Sequence, residues 1–134
     1  MKVIVLTSEP ISAEVLREAV GTDVADNAEI LVVAPALHQT GLRFWMSDAD
    51  EAIAKAQDVQ VETVERLEEE SVDAAGDTGE SEPLLALHDA LATFPADRIV
   101  IFSHPEGEQA FAEEDVDAAR ARFDVPVEYR IVTR

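Results

Sequence analysis

Apolar residues recur along this chain in two spacings, short uninterrupted runs and repeats every three to four positions, and the two alternate from one end to the other. Lys2 to Thr7 (KVIVLT) is the first run and predicts a strand. Pro10-Ile11-Ser12 then opens a helix with Ile11, Val15, Leu16, Ala19 and Val20 on one face and Gly21 at its end. Glu29 to Ala34 (EILVVA) is almost wholly apolar, the pattern of a strand buried on both faces of a parallel sheet, and Pro35 stops it. Ser47 as cap, with Asp50 three residues on, predicts a helix through Ile53, Ala56, Val64 and Leu67 to Glu68-Glu69-Glu70. Within it, Val59-Gln60-Val61-Glu62 alternates as a strand would. Val72 to Gly79 is weak and glycine-broken, at most a short edge strand. Pro83, then Leu84, Leu87, Leu91 and Phe94, predicts a third helix. Asp97 to Ser103 is the fourth strand, Ala112, Val116, Ala119 and Phe123 mark a last helix, and Pro126 to Thr133 closes as a strand.

Five strands alternating with four helices imply one three-layer α/β/α domain over residues 1–134, built on a doubly wound parallel sheet with right-handed crossovers. The stretch from Pro35 to Met46 has no period and is long for a connection in so small a domain, so it is expected to cover something. Ala74 to Glu82 is the most turn-like stretch. At 134 residues with 47% apolar composition, the chain is long enough to bury a core.

Charge changes the picture next. Asp and Glu number 29 against 10 Lys and Arg, a net of -19, and Lys2 and Lys55 are the two lysines beside eight arginines. A phosphate backbone needs a basic patch, and Arg120, Arg122 and Arg130 are scattered among acids, so nucleic acid is excluded as a partner class. Few lysines with many acids suit a salt-rich cytoplasm, where molar salt screens self-repulsion within about 3 Å; the alternative is an ordinary acidic protein. The absence of an apolar run near the roughly 20 residues of a membrane span argues against insertion, and Val3-Ile4-Val5-Leu6 is too short for a signal segment, so a cytoplasmic location is expected. Cysteine is absent, which removes disulfides, thiolate nucleophiles and Cys-ligated metals.

Leu6-Thr7-Ser8 ends the first strand, Val32-Val33-Ala34-Pro35 ends the second, and Arg98-Ile99-Val100-Ile101 leads into the fourth loop. In these residues, and over nearly its whole length, the chain resembles the universal stress protein family. Ala34-Pro35-Ala36-Leu37 and Thr93-Phe94-Pro95-Ala96-Asp97 are similar to short bacterial and archaeal members. The resemblance implies strand order 3-2-1-4-5, a homodimer through the last strand and, in one branch, ATP above strands one and four. In such a sheet a ligand lies beyond the carboxyl ends of the strands, where their order reverses. That gathers Thr7, Ser8, Glu9, Ala34, Pro35, Ser103, His104, Pro105 and Gly107 as candidate ligand-binding residues, with Arg43 reaching in from the long loop.

The ATP-binding branch ends its first strand in Asp and carries Gly-x-x-Gly, nine residues, then Gly-Ser or Gly-Thr in its fourth loop. This chain has Thr7 or Ser8 in the first place and only Gly107 in the second, between Glu106 and Glu108. Backbone N-H groups close around phosphate only where Cβ is missing, and two carboxylates oppose the partial charge of a helix N-terminus. The expectation is therefore a binding or regulatory module, not an enzyme, that does not hold ATP in the family's way. The competing reading is an ATP- or AMP-binding or -hydrolysing protein that uses Ser8, Ser103, His104 and Arg43 with magnesium.

His104, with Glu106 near, has the chemistry of a general base or a shared metal ligand, but a hydrogen-bonded imidazole in a turn explains it more simply. His38 sits with Arg43, Phe44 and Trp45 in the long loop, as a lid or as edge packing; His88 falls on a helix beside Leu87 and Leu91. No zinc-binding histidine spacing and no Gly-x-Ser-x-Gly elbow is present, and the acidic runs Glu68-Glu69-Glu70 and Glu113-Glu114-Asp115 suit a solvated surface better than a metal. A protein partner such as a transporter or kinase is the third class of function to test.

Overall fold

A computed structural model describes residues 1–35, 49–79, 83–103 and 113–132, without the side chains of 49–52, 78–79, 83 and 113–115. Five parallel strands form one sheet in the order β3-β2-β1-β4-β5. They are β1 (Lys2–Thr7), β2 (Glu29–Pro35), β3 (Asp73–Gly79), β4 (Arg98–Ser103) and β5 (Val127–Ile131). The described helices are α1 (Ala13–Val20), α2 (Thr22–Asn27), α3 (Ala49–Glu69), α4 (Pro83–Thr93) and α5 (Glu113–Arg122).

The apolar runs of the three central strands sort their side chains to two faces by alternation. Val3, Val5, Ile30, Val32, Val100 and Phe102 share one cluster with Leu16 and Val20 of α1, Ala25 of α2 and Leu67 of α3. Ile4, Leu6, Leu31, Val33, Ile99 and Ile101 form the opposite cluster with Ala86, Leu87 and Ala90 of α4 and Val116 and Ala119 of α5. The expected three layers and strand order are those observed.

The helix count differs from expectation. Gly21 ends α1, its N-H donating to Arg17 O at 2.8 Å, and with φ 91° and ψ 147° it turns the chain directly into α2. Six residues with only Ala25 buried give α2 no apolar period to detect, which is why the sequence predicts four helices and the described residues hold five. Arg17 then fastens the corner. Its guanidinium donates to Asp26 Oδ1 at 3.0 Å and 3.1 Å and to Glu70 O at 3.0 Å, joining α1, α2 and the end of α3. The Asp26 hydrogen bond is the main cause of the raised Arg17 pKa.

Val59-Gln60-Val61-Glu62 is helical, continuous with the rest of α3, so its alternation was a coincidence of spacing. Val59 is buried against Ala34 and Ala56, whereas Val61 is exposed. The helix stops at Ser71, which takes φ 63° while Ser71 N-H donates to Glu68 O and Val72 N-H to Leu67 O, the two bonds of a Schellman motif. The expected cap at Ser47 lies outside the described residues. The weak Val72-to-Gly79 segment is an edge strand, paired along its whole length with β2 from Glu29↔Asp73 to Pro35↔Gly79.

Candidate functional site

Because β1 lies between β2 and β4, the chain continues from its carboxyl end toward β2 and from that of β4 toward β5, so the strand order reverses there, the place where an open sheet of this kind takes ligands. The structure brings Thr7 at the end of β1 with Ser8 and Glu9 just beyond it, Ala34 and Pro35 of β2 and Ser103 of β4 to this one edge of the sheet. Thr7, Ser8, Ala34 and Ser103 are buried. Arg43, His104, Pro105 and Gly107 lie outside the described residues, as do His38 and Trp45.

The turn after β1 is held by its own hydroxyl. Thr7 Oγ1 donates to Glu9 O at 2.6 Å and accepts from Glu9 N-H at 3.3 Å, a local side-chain turn that aims the Glu9 side chain across the sheet edge. Glu9 Oε1 meets Lys55 Nζ of α3 at 3.6 Å, and the Glu9 side chain is 16% exposed against 37% for Lys55. Two residues beyond Glu9, the Ile11 N-H donates to Thr63 Oγ1 at 3.3 Å. Thr63 lies eight residues after Lys55, about 12 Å along the helix, so α3 grips the β1-α1 connection at two separate points.

Sequence reasoning missed both Lys55 and Thr63. Lys55 carried a signal, as one of only two lysines in an acidic chain, but nothing in its neighbourhood pointed at Glu9. Thr63 carried none, being one polar residue on a helix that is polar on most of its surface.

Thr7 is committed to the backbone of Glu9, so it is not poised as a nucleophile. His88, the histidine among the described residues, lies exposed on α4 beside Asp89. Among the described residues, no group of three or more His, Asp or Glu is placed to hold a metal ion, and no helix is long and apolar enough to cross a membrane.

At the other end of the sheet's order, β5 is the outermost strand, and among the described residues no strand pairs with its outer edge. Val127 and Tyr129 pack inward against the α4 and α5 layer, while Ile131 is 58% exposed. Beside it, Val15, Ala19, Phe102 and Val132 line an open cavity of about 320 Å³ rimmed by Glu18 and Arg130.

No family model and no curated protein sequence matches the chain. Solved structures do. A universal stress protein from Archaeoglobus fulgidus is 21% identical with a TM-score of 0.63, the alignment covering 96% of this chain and 98% of that one. The same organism's universal stress protein in complex with dAMP is 20% identical over 96% and 97% of the two chains, again with a TM-score of 0.63. A universal stress protein family member from Arabidopsis thaliana with AMP bound is 14% identical over 98% and 91%, with a TM-score of 0.67. The strand order and these alignments together give the chain the universal stress protein fold.

Proposed function

We propose that the chain is a cytoplasmic, non-catalytic binding or regulatory module of the universal-stress-protein kind that does not hold ATP in the glycine-lined manner. The observation that carries this is Glu9. Its largely buried carboxylate stands at the carboxyl end of β1, where the phosphates of a nucleotide would add further negative charge, and Lys55 offsets that carboxylate without reversing it. In sequence, the loop after β4, with Glu106 and Glu108 around a single Gly107, adds acids where a phosphate cradle needs glycines. The commitment of Thr7 to a turn supports a non-catalytic role.

The test is thermal unfolding in about 2 M KCl with and without millimolar Mg-ATP. A ligand at 100 times its Kd stabilises a fold by about 2.7 kcal/mol, which moves the midpoint by several degrees. No shift with Mg-ATP is expected. The AMP and dAMP bound to two structural neighbours favour a second reading, an ATP- or AMP-binding protein that uses Ser8, Ser103, His104 and Arg43 with magnesium. An Mg-ATP shift that disappears on Gly107→Val or Ser103→Ala would establish that reading and overturn the first.

For partners, the exposed edge of β5 supports a homodimer through the last strand. An unpaired edge with Ile131 outward is a template for another strand. A transporter or kinase partner is tested by the same surface, through capture with an intact and an edge-blocked chain.

A further inference from the structure

We propose that the open cavity between α1 and β5 is a binding site for a small zwitterion with an apolar body, an aliphatic α-amino acid. The inference goes beyond the reading of the sheet's carboxyl edge, with whose candidate residues this cavity shares none.

The cavity follows from how the sheet is covered. α4 and α5 pack over Val127 and Tyr129 on one side of β5, whereas Phe102 of β4 and Val132 just past β5 belong to the cluster on the α1 side. Val15 and Ala19 stand one helical turn apart on α1, so both face that cluster. These apolar walls enclose about 320 Å³, at the lower end of the range for ligand sites, so the occupant is small.

Two opposite charges stand on the rim without meeting. Among the described bases, Lys2, Arg17, Lys55, Arg66, Arg98 and Arg120 each pair with a carboxylate, and Arg122 lies over the Phe123 ring. Arg130 forms no ion pair among the described residues, although acids outnumber bases 29 to 10 in the chain. Its guanidinium donates to Ala19 O at 3.4 Å, longer than an ordinary N-H to O bond, which tethers it at the cavity and leaves its other N-H donors for a ligand. Glu18, on the same face of α1 as Val15, is likewise in no ion pair among the described residues. The rim as a whole is neutral and favours neither a lone anion nor a lone cation. A molecule that offers a carboxylate to Arg130 and an ammonium to Glu18 makes charge-assisted hydrogen bonds at both ends, while its apolar side chain leaves water for the wall of Val15, Phe102 and Val132. An aliphatic α-amino acid has all three parts.

The experiment is an NMR titration of the native chain with millimolar L-leucine, followed through the backbone amides of Ala19, Phe102 and Val132, at the lowest KCl concentration that gives cooperative unfolding. Leucinamide, which lacks the carboxylate, and isocaproate, which lacks the ammonium, are titrated in parallel. Expected is saturable leucine binding with shifts centred on those amides, and binding about tenfold weaker or worse for each one-ended analogue. Arg130→Gln should abolish the preference for leucine over leucinamide, and Glu18→Gln the preference over isocaproate. Each preference is a ratio measured within one variant, so a change in stability or assembly does not imitate its loss. The proposal is overturned by the absence of saturable shifts at these amides, by leucine binding no tighter than that of either analogue, or by preferences that survive the two substitutions.

Discussion

Thr63 Oγ1, wholly buried on α3, accepts the backbone N-H of Ile11 at 3.3 Å across 52 residues of sequence. The N-H belongs to the connection that leaves the candidate site, and it enters no helix or strand ladder, so the hydroxyl is what satisfies it. Thr63→Val keeps the shape and removes the acceptor, leaving a buried donor without a partner. Chemical denaturation should show a loss of about 1–3 kcal/mol, whereas Thr63→Ser, which keeps the oxygen, should lose less than half as much. Equal losses in the two variants would mean that the methyl group, and not the hydroxyl, holds the turn.

Gly21 and Ser71 predict opposite signs for backbone substitutions. Gly21 combines φ 91° with ψ 147°, a region that residues with a Cβ avoid, and no atom lies within 4 Å of where a Cβ would stand. Any cost of Gly21→Ala is therefore conformational, about 1–3 kcal/mol. Ser71 sits at φ 63° in the Schellman turn that ends α3, the position where glycine is preferred. Ser71→Gly should stabilise by up to about 1 kcal/mol, raising the midpoint by about 4 °C. A loss of stability in Ser71→Gly would show that the serine hydroxyl contributes more than its backbone strain takes away.

What the sequence made legible follows from burial. Val3 to Leu6, Ile30 to Val33 and Ile99 to Phe102 are apolar because helices cover both faces of those strands, so each could be placed without a structure. β3 gives a weaker signal, since Asp73-Ala-Ala-Gly-Asp-Thr-Gly gains its strand state by pairing with β2 and not from its own composition. α2 gave none. For the candidate site, strand ends placed Thr7, Ser8, Glu9, Ala34, Pro35 and Ser103 together, because the carboxyl edge of the sheet is a property of topology. Lys55 and Thr63 were hidden because their partners lie 46 and 52 residues away, joined only by the packing of α3.

The net charge of -19 predicts how stability responds to salt. Among the described residues most ion pairs involve partly exposed side chains, such as Lys2-Glu29 and Arg66-Glu62, and these weaken as salt rises. Repulsion among the surplus acids weakens too, and with 29 acids against 10 bases the repulsion dominates. The unfolding midpoint should climb by several degrees between 0.1 M and 2 M KCl, and sodium chloride should do nearly the same. A midpoint that falls with salt would show that the ion pairs outweigh the repulsion, and would remove the argument for adaptation to a salt-rich cytoplasm.

Ile131 is the residue through which the proposed dimer is best tested. It ends β5 with 58% of its surface exposed, while Val127 and Tyr129 on the same strand pack against the α4 and α5 layer. Within one chain a charge at Ile131 disturbs little, and Ile131→Lys should change monomer stability by no more than about 0.5 kcal/mol. Between two chains the result differs. The sequence Val127-Glu128-Tyr129-Arg130-Ile131 has an acid and a base on either side of Tyr129. Antiparallel pairing of two copies centred on Tyr129 would set each Glu128 opposite the other copy's Arg130 and each Val127 opposite the other copy's Ile131. Within its own chain Glu128 already pairs with Arg98, and Arg130 donates to Ala19 O at 3.4 Å, so both side chains are held near the edge before any second copy arrives. Sedimentation of the native chain should give a dimer and Ile131→Lys a monomer of unchanged midpoint at low protein concentration. A native chain that sediments as a monomer at high concentration, or an Ile131→Lys variant that remains a dimer, would move the search for partners away from this edge.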